Sequence, residues 1–463
     1  MRKAIKRAVS LVTAAAMSAA CAITVFAEAP TAEGGKFETS ISAARVAEEM
    51  GIGLNLGNTM EAYEATNCEK ITYEWIPKLG DNKTSDYETC WGAPVTTQEL
   101  IDGMKEAGFS TVRIPVFWGN MMENDGTYTI NENYLARVAE IVQYCTNDDL
   151  YAVINIHHFD EFIIRRNSLE DCEKIFNNLW TQIAEYFKDC PYNVVFEGYN
   201  EYLGGSQFNS KGRLVELDRD EGYELTNALN QTFVDAVRAT GGRNADRVLV
   251  ASGYWTNIDL TTAKEFKVPT DTAENRLMVS VHYVDNSMYW SNQIGSQTWK
   301  DYSVAQCELL KKAFTDKGIP VFVGETTSRY PNSNFARNPQ VSTSSEALSY
   351  MLSLITDYGF VPVLWDTTGN FFDRDNNKIY SASDARVILG IAGELKKDYI
   401  LGDLNDDGNV NSQDAMIAVA MAKKTRTPTE RQLKCGDLDR NGKIETNDAM
   451  IIVAAAKKTK KIY

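Results

Sequence analysis

Two glutamates of this chain stand where short apolar runs end. Glu201 follows one such run and Glu325 follows another. A carboxylate buried at the end of an apolar strand is costly unless it has a partner. Two carboxylates that face each other suit glycoside hydrolysis, in which one protonates the leaving oxygen and the other attacks or activates water. The sequence therefore predicts an acid and a base at Glu201 and Glu325.

Other polar residues stand on or after similar runs. The sequence has three histidines, all at run ends: His157, His158 and His282. A single histidine would more often be a core residue bonded to the backbone, but packing does not readily explain all three. Arg113 lies inside another run, so a structural pair of glutamates bridged by arginine is the competing interpretation of Glu201 and Glu325. In the hydrolytic interpretation, negative charge on one glutamate raises the pKa of the other, which then keeps its proton.

Eight short runs rich in Val, Ile, Leu or Phe supply the strands that would position these side chains. They occupy residues 52–56, 111–116, 151–156, 194–199, 248–251, 277–281, 320–324 and 361–365. Most are followed by segments of helical periodicity. This alternation predicts an α/β fold, a closed (β/α)8 TIM barrel whose active site lies at the carboxyl ends of the strands. An open doubly wound sheet is less well supported, because no glycine-rich phosphate loop follows the first run.

Four motifs on these runs carry a resemblance to a known family. They are Asn55-Leu-Gly-Asn-Thr59, Val112-Arg-Ile-Pro115, Asn200-Glu201 and Gly324-Glu325. Together, over residues 40–396, they resemble the cellulases of glycoside hydrolase family 5. The resemblance implies a retaining double displacement without a cofactor, in which Glu201 is the acid/base and Glu325 is the nucleophile.

The same resemblance assigns roles to the residues around the pair. Asn200 would hold the sugar 2-hydroxyl, and Arg113 would position the nucleophile and keep it ionised. His157 and His282 would orient the carboxylates and the sugar, and Trp365 would stack beneath the cleaved residue. Further candidates for substrate binding are His158, Tyr283 and Asn58, and the loop tryptophans Trp91, Trp118, Trp255, Trp290 and Trp299 are candidate walls of the cleft.

The chain departs from the family pattern near the nucleophile. Many members carry His-x-Tyr on the sixth strand, where the tyrosine donates to the nucleophile, but here the third position is Val284. On an extended strand Tyr283 should point away from His282. Tyr289 and Tyr330 are therefore the candidate replacements for this donor.

The last part of the chain, residues 398–463, contains an internal duplication. The segment 402–408 returns at 436–442, 34 residues later, and both copies have the oxygen-ligand spacing of a calcium loop ending in Asp. The predicted ligands of the first loop are Asp403, Asn405, Asp407, Asn409 and Asp414. Those of the second are Asp437, Asp439, Asn441, Lys443 and Asp448, with Asn409 and Lys443 contributing backbone carbonyls.

A glycine before each loop and Asp at position twelve make this module similar to a dockerin, a small all-α calcium-binding domain. The resemblance implies two structural calcium ions and a cohesin module of a scaffold protein as partner. Positions that would contact the cohesin are Ser412, Gln413, Ala420, Met421, Thr446, Asn447, Ala454 and Ala455.

The net charge and the N-terminal segment indicate which partners are excluded and where the protein is located. The formal charge of −16 is repelled by phosphate backbones and anionic membranes, which argues against nucleic acid or a membrane surface as partner. Residues 1–27 combine a basic start, an uncharged Ala-rich stretch and small residues at its end, which predicts a secretory signal peptide and an extracellular protein. An uncleaved anchor is the alternative.

Several functions stay open at this point. The first expectation is an endo-β-1,4-glucanase docked to a cellulosome. The motifs equally allow a xyloglucanase, a lichenase or a mannanase. A non-catalytic polysaccharide-binding scaffold component is the alternative outside enzymes, and the presence of both glutamates argues against it.

Overall fold

A computed structural model describes most of the chain. The described residues are 29–31, 37–63, 79–123, 126–158, 168–201, 207–208, 214–215, 218–289, 293–327, 344–395, 399–438 and 441–459. Several predictions fall outside them, namely the signal peptide at 1–27, Trp290, Tyr330, Asp439 and the side chain of Tyr289. Within these ranges, none of the helices combines the length and apolar character that a membrane crossing requires.

The larger, N-terminal part of the described chain has at its centre a closed barrel of eight parallel strands. The strands are β1 Gly53–Asn55, β2 Thr111–Ile114, β3 Tyr151–Ile154, β4 Val194–Glu197, β5 Leu249–Ser252, β6 Leu277–His282, β7 Val321–Thr326 and β8 Val361–Leu364. They pair in chain order, and β8 closes on β1. All eight predicted strands are confirmed, and so is the barrel.

Helices follow most of the strands. Their bounds are Ala43–Met50, Thr84–Glu88, Gln98–Glu106, Glu132–Asn147, Leu169–Tyr186, Arg219–Ala239, Ile258–Thr261, Asn286–Tyr289, Gln297–Ala313, Ser344–Asp357 and Ala382–Glu394. Several begin at a side chain that accepts a hydrogen bond from the first turn, as Thr97, Ser168 and Asp218 do. Two short antiparallel pairs lie outside the barrel, at Gln207–Phe208 with Leu214–Val215 and at Phe372–Asp373 with Lys378–Ile379.

Alternation along the strands fills the barrel interior in layers. An apolar cluster at the bottom contains Val153, Val195, Met278 and Phe322, and helix Ala43–Met50 packs against it. Side chains two residues further along β1 to β4 and β6 are polar and buried, and they form the layer above: Asn55, Arg113, Asn155, Glu197 and Ser280. Apart from Arg113, the residues predicted to act on the substrate stand above this polar layer, at or just after the strand ends.

Strand β7 carries one extra residue. Val281 pairs with Val323, but the next residue of β6, His282, pairs with Glu325, and the register against β8 shifts at the same place. Val321 and Val323 pack in the cluster outside the barrel, so regular alternation would send Glu325 to that side as well. The bulge at Gly324 instead places Glu325 beside His282 at the barrel mouth.

In its described residues, 399–438 and 441–459, the C-terminal module has three helices around a small core. The helices are Ser412–Ala422, Glu430–Gly436 and Thr446–Ala456. Leu404, Met421, Ile444 and Ile452 are buried in this core. A Cβ at Gly436 would lie 2.6 Å from the Leu404 side chain, so the residue before the second loop has to be glycine. The all-α character predicted for the module is confirmed.

Candidate active site

Arg113 connects the residues of the polar layer to those of the mouth. Its Nε donates to Glu197 at 2.7 Å, and its Nη1 donates to Asn55 at 2.9 Å and to Glu325 at 3.1 Å. Its Nη2 donates to Asn200 at 2.9 Å. Burial lowers the pKa of Arg113, but Glu197 and then Glu325 raise it above its usual value, so the guanidinium stays charged.

The two predicted carboxylates meet at His282. Its Nδ1 lies 2.7 Å from Glu201 Oε1 and 3.7 Å from Glu325 Oε2. One oxygen of each carboxylate and one ring nitrogen all lie within 4.8 Å of one another. Glu201 and Glu325 are therefore neighbours across the mouth, and the side chain of Glu201 is 24% exposed where that of Glu325 is 9% exposed.

The surroundings separate the pKa values of the pair. Burial raises the pKa of Glu325, and the charge of Glu201 adds to this effect, against the opposing influence of His282 and Arg113. Burial also acts on Glu201, but the contact with His282 lowers its pKa below the usual value. Glu325 thus holds a proton more firmly than Glu201 does, which is the reverse of the order that the predicted roles require.

Gly324 is closely surrounded by polar side chains. A Cβ there would lie 3.1 Å from His282 Nε2, 3.1 Å from Ser280 Oγ and 3.2 Å from Glu197 Oε1. The Gly324 carbonyl accepts from Asn55 Nδ2 at 2.9 Å. Polar side chains therefore contact the bulge at the Gly324 Cα and at the Gly324 carbonyl.

His157 and Trp365 lie together at the mouth. Their rings stack at a centroid distance of 6.3 Å and an angle of 13°. Burial lowers the pKa of His157 well below its usual value, and the charge of Arg113 lowers it further, so the ring is neutral. Its Nδ1 hydrogen-bonds to Asn155 at 3.1 Å, so His157 is tied to the polar layer, whereas the predicted contact with a carboxylate is made by His282.

His158 belongs to an aromatic cluster beside the mouth. Its ring contacts those of Tyr63 at 5.0 Å, Phe117 at 5.8 Å and Trp91 at 6.0 Å. The Trp91 indole N–H donates to the Tyr63 carbonyl at 2.7 Å, which fixes the ring. These rings are suited to contact with sugar faces.

Two of the tryptophans predicted to line the cleft lie elsewhere. Trp118 is 1% exposed and Trp299 is fully buried, in the turn Trp118–Met121 and in helix Gln297–Ala313 respectively. Their indole N–H groups donate to Asn155 O and to Asp285 Oδ2. Both are core residues, so the prediction was wrong for them. Trp255, which is 39% exposed, lies in the loop after β5 as predicted.

Tyr283 does not follow the expectation of an extended strand. Strand β6 ends at His282, and Tyr283 adopts a left-handed φ of 46°. Its ring therefore lies edge-on to the His282 ring, at 6.3 Å, and the prediction that it points away was wrong. Val284 is buried in the apolar core, and as a hydrocarbon side chain it supplies no hydroxyl to Glu325.

Left-handed backbone is concentrated at this face. Five non-glycine residues that follow strand ends have positive φ: Asn58, His158, Trp255, Thr256 and Tyr283. Such conformations cost free energy and persist where the surrounding structure enforces them, commonly at functional sites. They turn the chain sharply after the strands and keep these side chains close to the mouth.

Asn58 lies in the loop after β1, where a buried glutamate holds the backbone. Glu61 accepts hydrogen bonds from the backbone N–H groups of Asn58 and Thr59, the latter at 3.0 Å. Gly57 precedes them, and a Cβ there would lie 3.1 Å from the Trp365 ring. The loop therefore packs against the predicted stacking platform, consistent with a place for Asn58 in substrate binding.

Replacing Glu61 by Gln is expected to change how stability depends on pH. Burial raises the pKa of Glu61 to about 7, more than its hydrogen bonds lower it. An unfolded glutamate ionises near pH 4.3, so between about 4.3 and 7 the folded chain holds a proton that the unfolded chain has lost. The free energy of unfolding therefore falls as pH rises, by about 4 kcal/mol in all. The melting temperature of Glu61→Gln relative to wild type should rise between pH 4.5 and 7.5; a constant difference would contradict this.

The first calcium loop gathers three carboxylates. Oxygens of Asp403, Asp407 and Asp414 lie within 4.8 Å of one another. Asp403 Oδ2 also accepts from Gly408 N at 2.9 Å, and Asp414 Oδ1 accepts from Leu404 N at 2.8 Å, so the loop is closed on these two side chains. Like charges so close repel one another unless a cation lies between them, and an all-oxygen donor set is what calcium prefers. The residues present fit a calcium ion.

The second loop repeats this arrangement. Asp437 Oδ2 accepts from Gly442 N at 2.7 Å, and Asp448 Oδ1 accepts from Leu438 N at 2.8 Å. The sixth residue of each loop is a glycine with left-handed φ, as the sharp turn requires. The two loops are thus equivalent in their described residues.

The architecture and site agree with a known family. The family model of cellulases, glycosyl hydrolase family 5, matches residues 73–371. The chain belongs to this family. It is therefore a glycoside hydrolase. A second family model, of the type I dockerin domain, matches residues 401–455. The C-terminal module of this family 5 hydrolase is thus a dockerin, the calcium-binding module that docks on cohesins in extracellular cellulosomes.

Named relatives of this family 5 hydrolase include endoglucanases. The chain is 32% identical to endoglucanase A of Clostridium longisporum over 374 residues, which span 79% of this chain and 66% of that protein. It is also 32% identical to endoglucanase A of Paenibacillus barcinonensis over 393 residues, 76% of this chain and 90% of that protein.

Solved structures show the same barrel. A broad-specificity endoglucanase from an uncultured bovine rumen ciliate is 30% identical, with a TM-score of 0.63 and coverage of 76% of this chain and 98% of that chain. A family 5 xyloglucanase of Bacteroides ovatus is 26% identical, with a TM-score of 0.64 and coverage of 80% of each chain.

Sequence reasoning missed the residues beneath the site. Glu197, Asn155 and Ser280 are fully buried and hydrogen-bonded to one another or to Arg113. Glu197 had the same signal as Glu201, a carboxylate in an apolar strand, and only its distance from the strand end set it apart. Glu61 and Tyr63 had no comparable signal in the sequence.

Proposed function

We propose that this family 5 hydrolase is a secreted, retaining endo-β-1,4-glucanase. The observation that carries the proposal is the short separation of the two carboxylates, since one oxygen of Glu201 lies within 4.8 Å of one oxygen of Glu325. Retaining enzymes place their carboxyl groups about 5 Å apart, whereas inverting enzymes leave about 6.5–9.5 Å for a water molecule. The spacing leaves no room for that water between Glu201 and Glu325.

In the first step Glu325 attacks the anomeric carbon while Glu201 protonates the leaving glycosidic oxygen. In the second step Glu201 removes a proton from water, which then releases the sugar from Glu325. Arg113 has no acceptor atoms, so the atom of Asn200 that faces it is the carbonyl oxygen. The NH2 group of Asn200 is therefore the part that donates to the sugar 2-hydroxyl, while Trp365 stacks on the sugar face.

Substrate binding reverses the order of the two pKa values. Glu325 is already nearly covered, but Glu201 keeps 24% of its side chain exposed. A glucan chain in the cleft removes that water from Glu201 and raises its pKa, because desolvation disfavours the charged form. The shared proton then belongs to Glu201, and Arg113 and His282 support the ionised Glu325 as nucleophile.

The substrate class is a β-1,4-linked glucan. Several relatives carry the name endoglucanase, and a family 5 xyloglucanase of Bacteroides ovatus shares the fold. The aromatic cluster of Tyr63, Trp91, Phe117 and His158 beside the mouth supplies further stacking surfaces along a chain of sugars. A xyloglucanase is the second candidate, since the same surfaces accept a decorated backbone.

The test is a panel of initial rates with product analysis. Cellulose, carboxymethylcellulose and lichenan should be hydrolysed faster than mannan, and xyloglucan decides between the two candidates. Endo action should lower the viscosity of carboxymethylcellulose well before reducing ends accumulate. Proton NMR of the first product should show the β-anomer; an initial α-anomer would overturn the retaining mechanism, and no hydrolysis at all would favour a binding-only protein.

The dockerin would hold two calcium ions and attach the enzyme to a cohesin. The calcium ligands are the ten loop residues predicted from the sequence. Met416 and Met450, at equivalent positions of the two repeats, are each 66% exposed, and Ser412, Gln413, Thr446 and Asn447 are exposed beside them. These residues form the cohesin-binding surface. Met421, predicted to take part, is 3% exposed and belongs to the core instead.

A further inference from the structure

A third glutamate lies directly beneath the catalytic pair. Glu197 is fully buried at the end of β4, four residues before Glu201. Its Oε2 accepts from Arg113 Nε at 2.7 Å and from Asn155 Nδ2 at 3.0 Å, and its Oε1 accepts from Ser280 Oγ at 2.8 Å. Three donors, one of them a guanidinium, give this buried carboxylate the partners that burial of a polar group requires.

Arg113 therefore faces two carboxylates with one positive charge. Its Nε edge is bound to Glu197, and its Nη1 is shared between Glu325 and Asn55. The contact with Glu197 is the shorter by 0.4 Å, from 2.7 Å against 3.1 Å. Because the charge of Arg113 is largely balanced from below, only part of its effect reaches Glu325.

Besides Arg113, the charged and titratable groups that act on Glu325 come from two elements. His282 of β6 lies 3.7 Å away, and Glu201 follows β4. The neutral His157, which follows β3, is close enough to Arg113 and His282 for their charges to act on it. Without Glu197, the full charge of Arg113 would act on a carboxylate that has to share a proton with Glu201. Both members of the pair would then ionise too readily for one of them to serve as an acid.

We propose that Glu197 is a positioning residue that acts through Arg113: it withholds part of the guanidinium charge from Glu325 and so sets the pH range in which Glu201 and Glu325 share one proton. This inference rests on the proposed hydrolytic roles of Glu201 and Glu325. It predicts a readout that packing alone would not change, namely the two limbs of the pH–rate profile.

Glu197→Gln removes the charge and can keep the contacts. The amide oxygen can accept from Arg113 and Asn155, and the amide NH2 can donate to Ser280. The unbalanced charge of Arg113 should then favour ionised carboxylates, so both limbs of kcat/KM against pH move to lower pH. The acidic limb should move by about one pH unit and the basic limb by less, because Arg113 donates directly to Glu325.

Ser280→Ala is the matched control. It removes one hydrogen bond from Glu197 and leaves the charge, so its limbs should stay within a few tenths of a unit of the wild type, whatever happens to kcat. Glu197→Asp, which also keeps the charge, should behave in the same way. If Glu197→Gln lowers kcat with unmoved limbs, or if Glu197→Asp moves them as far, Glu197 has a structural role only and the proposal is overturned.

A second measurement covers the case in which Glu197→Gln does not fold. Carbon-13 NMR of the full chain labelled at glutamate Cδ, with Glu197→Asp for assignment, should show Glu197 ionised throughout the active pH range. A protonated Glu197 within that range would overturn the proposal. Absence of glucan hydrolysis by the wild-type enzyme would instead refute the proposed function, so the two failures are distinguishable.

Discussion

Glu325→Gln should lower kcat for β-glucan hydrolysis by on the order of 10⁴-fold or more, with a much smaller change in KM. An amide in place of the carboxylate cannot form the glycosyl-enzyme, while the amide oxygen can still accept from Arg113, whose contact at 3.1 Å holds the wild-type side chain. Steady-state kinetics on a soluble glucan measure this effect. The loss should be equally severe on aryl cellobiosides, because the attack on the anomeric carbon is missing for every leaving group.

Glu201→Gln is expected to give a different pattern, which separates the two roles. A good leaving group needs no proton, so an aryl cellobioside with an acidic phenol should still be cleaved once, in a rapid burst. Water is then not activated, and the glycosyl-enzyme on Glu325 should accumulate and be visible by mass spectrometry. A burst in Glu325→Gln and none in Glu201→Gln would mean that the roles are exchanged.

Glu88→Gln is the matched control for both variants. Glu88 is fully buried, and it binds Arg137 at 2.8 Å and the backbone N–H of Thr96 at 2.7 Å. It therefore reports what the loss of a buried, arginine-bound carboxylate does to stability. Its melting temperature should fall while kcat per folded molecule stays within a few-fold of the wild type.

Removal of calcium is the second large effect that we expect. Excess chelator should abolish cohesin binding, with a loss of affinity of at least about 10³-fold, because calcium binding and folding are coupled in small modules of this kind. The module has only a small apolar core, and its three carboxylates within 4.8 Å repel one another without a cation. Hydrolysis of a soluble glucan should be unchanged, since the loops belong to a different domain from Glu201 and Glu325.

Variants of single loop residues make this test specific. Asp414→Ala and Asp448→Ala should each weaken cohesin binding strongly and lower the calcium content from two ions per chain to one. Asp406→Ala is the control: Asp406 lies in the first loop with its side chain 70% exposed, pairs with Arg431, and is not a predicted ligand. Cohesin binding that persists in excess chelator, or a content of two ions in Asp414→Ala, would refute the calcium assignment.

The fold and the meeting of Glu201 with Glu325 at one mouth were predictable because their signals are local. Each barrel strand is a short apolar run, and Glu201, His157, His282 and Glu325 interrupt or end such runs, where the cost of burying polar groups makes them conspicuous. The closure of the barrel places the run ends at one face. The calcium loops were predictable for the same reason, since their ligands lie within twelve residues of one another.

The support around the pair depends on contacts between distant segments, which spacing does not reveal. Asn55 binds Arg113 and the Gly324 carbonyl, across separations of 58 and 269 residues. Trp118 and Trp299 resemble loop residues in the sequence, but the turn and the helix that carry them direct their rings into the core. The order of the two pKa values depends on how much of each carboxylate is covered, which only the assembled site determines.

The extra residue of β7 determines which side of the strand Glu325 faces. Residues of a strand change sides at every step, so a regular ladder would turn Glu325 toward the helices with Val321 and Val323. One inserted residue at Gly324 delays the pattern by a step and returns the carboxylate to the cleft. Without that one glycine the carboxylate would follow Val323 directly, at the place that Gly324 now holds, where a Cβ would lie 3.1 Å from Ser280 Oγ and 3.2 Å from Glu197 Oε1. The inserted residue therefore lets Glu325 face the cleft while it stands clear of the polar layer beneath.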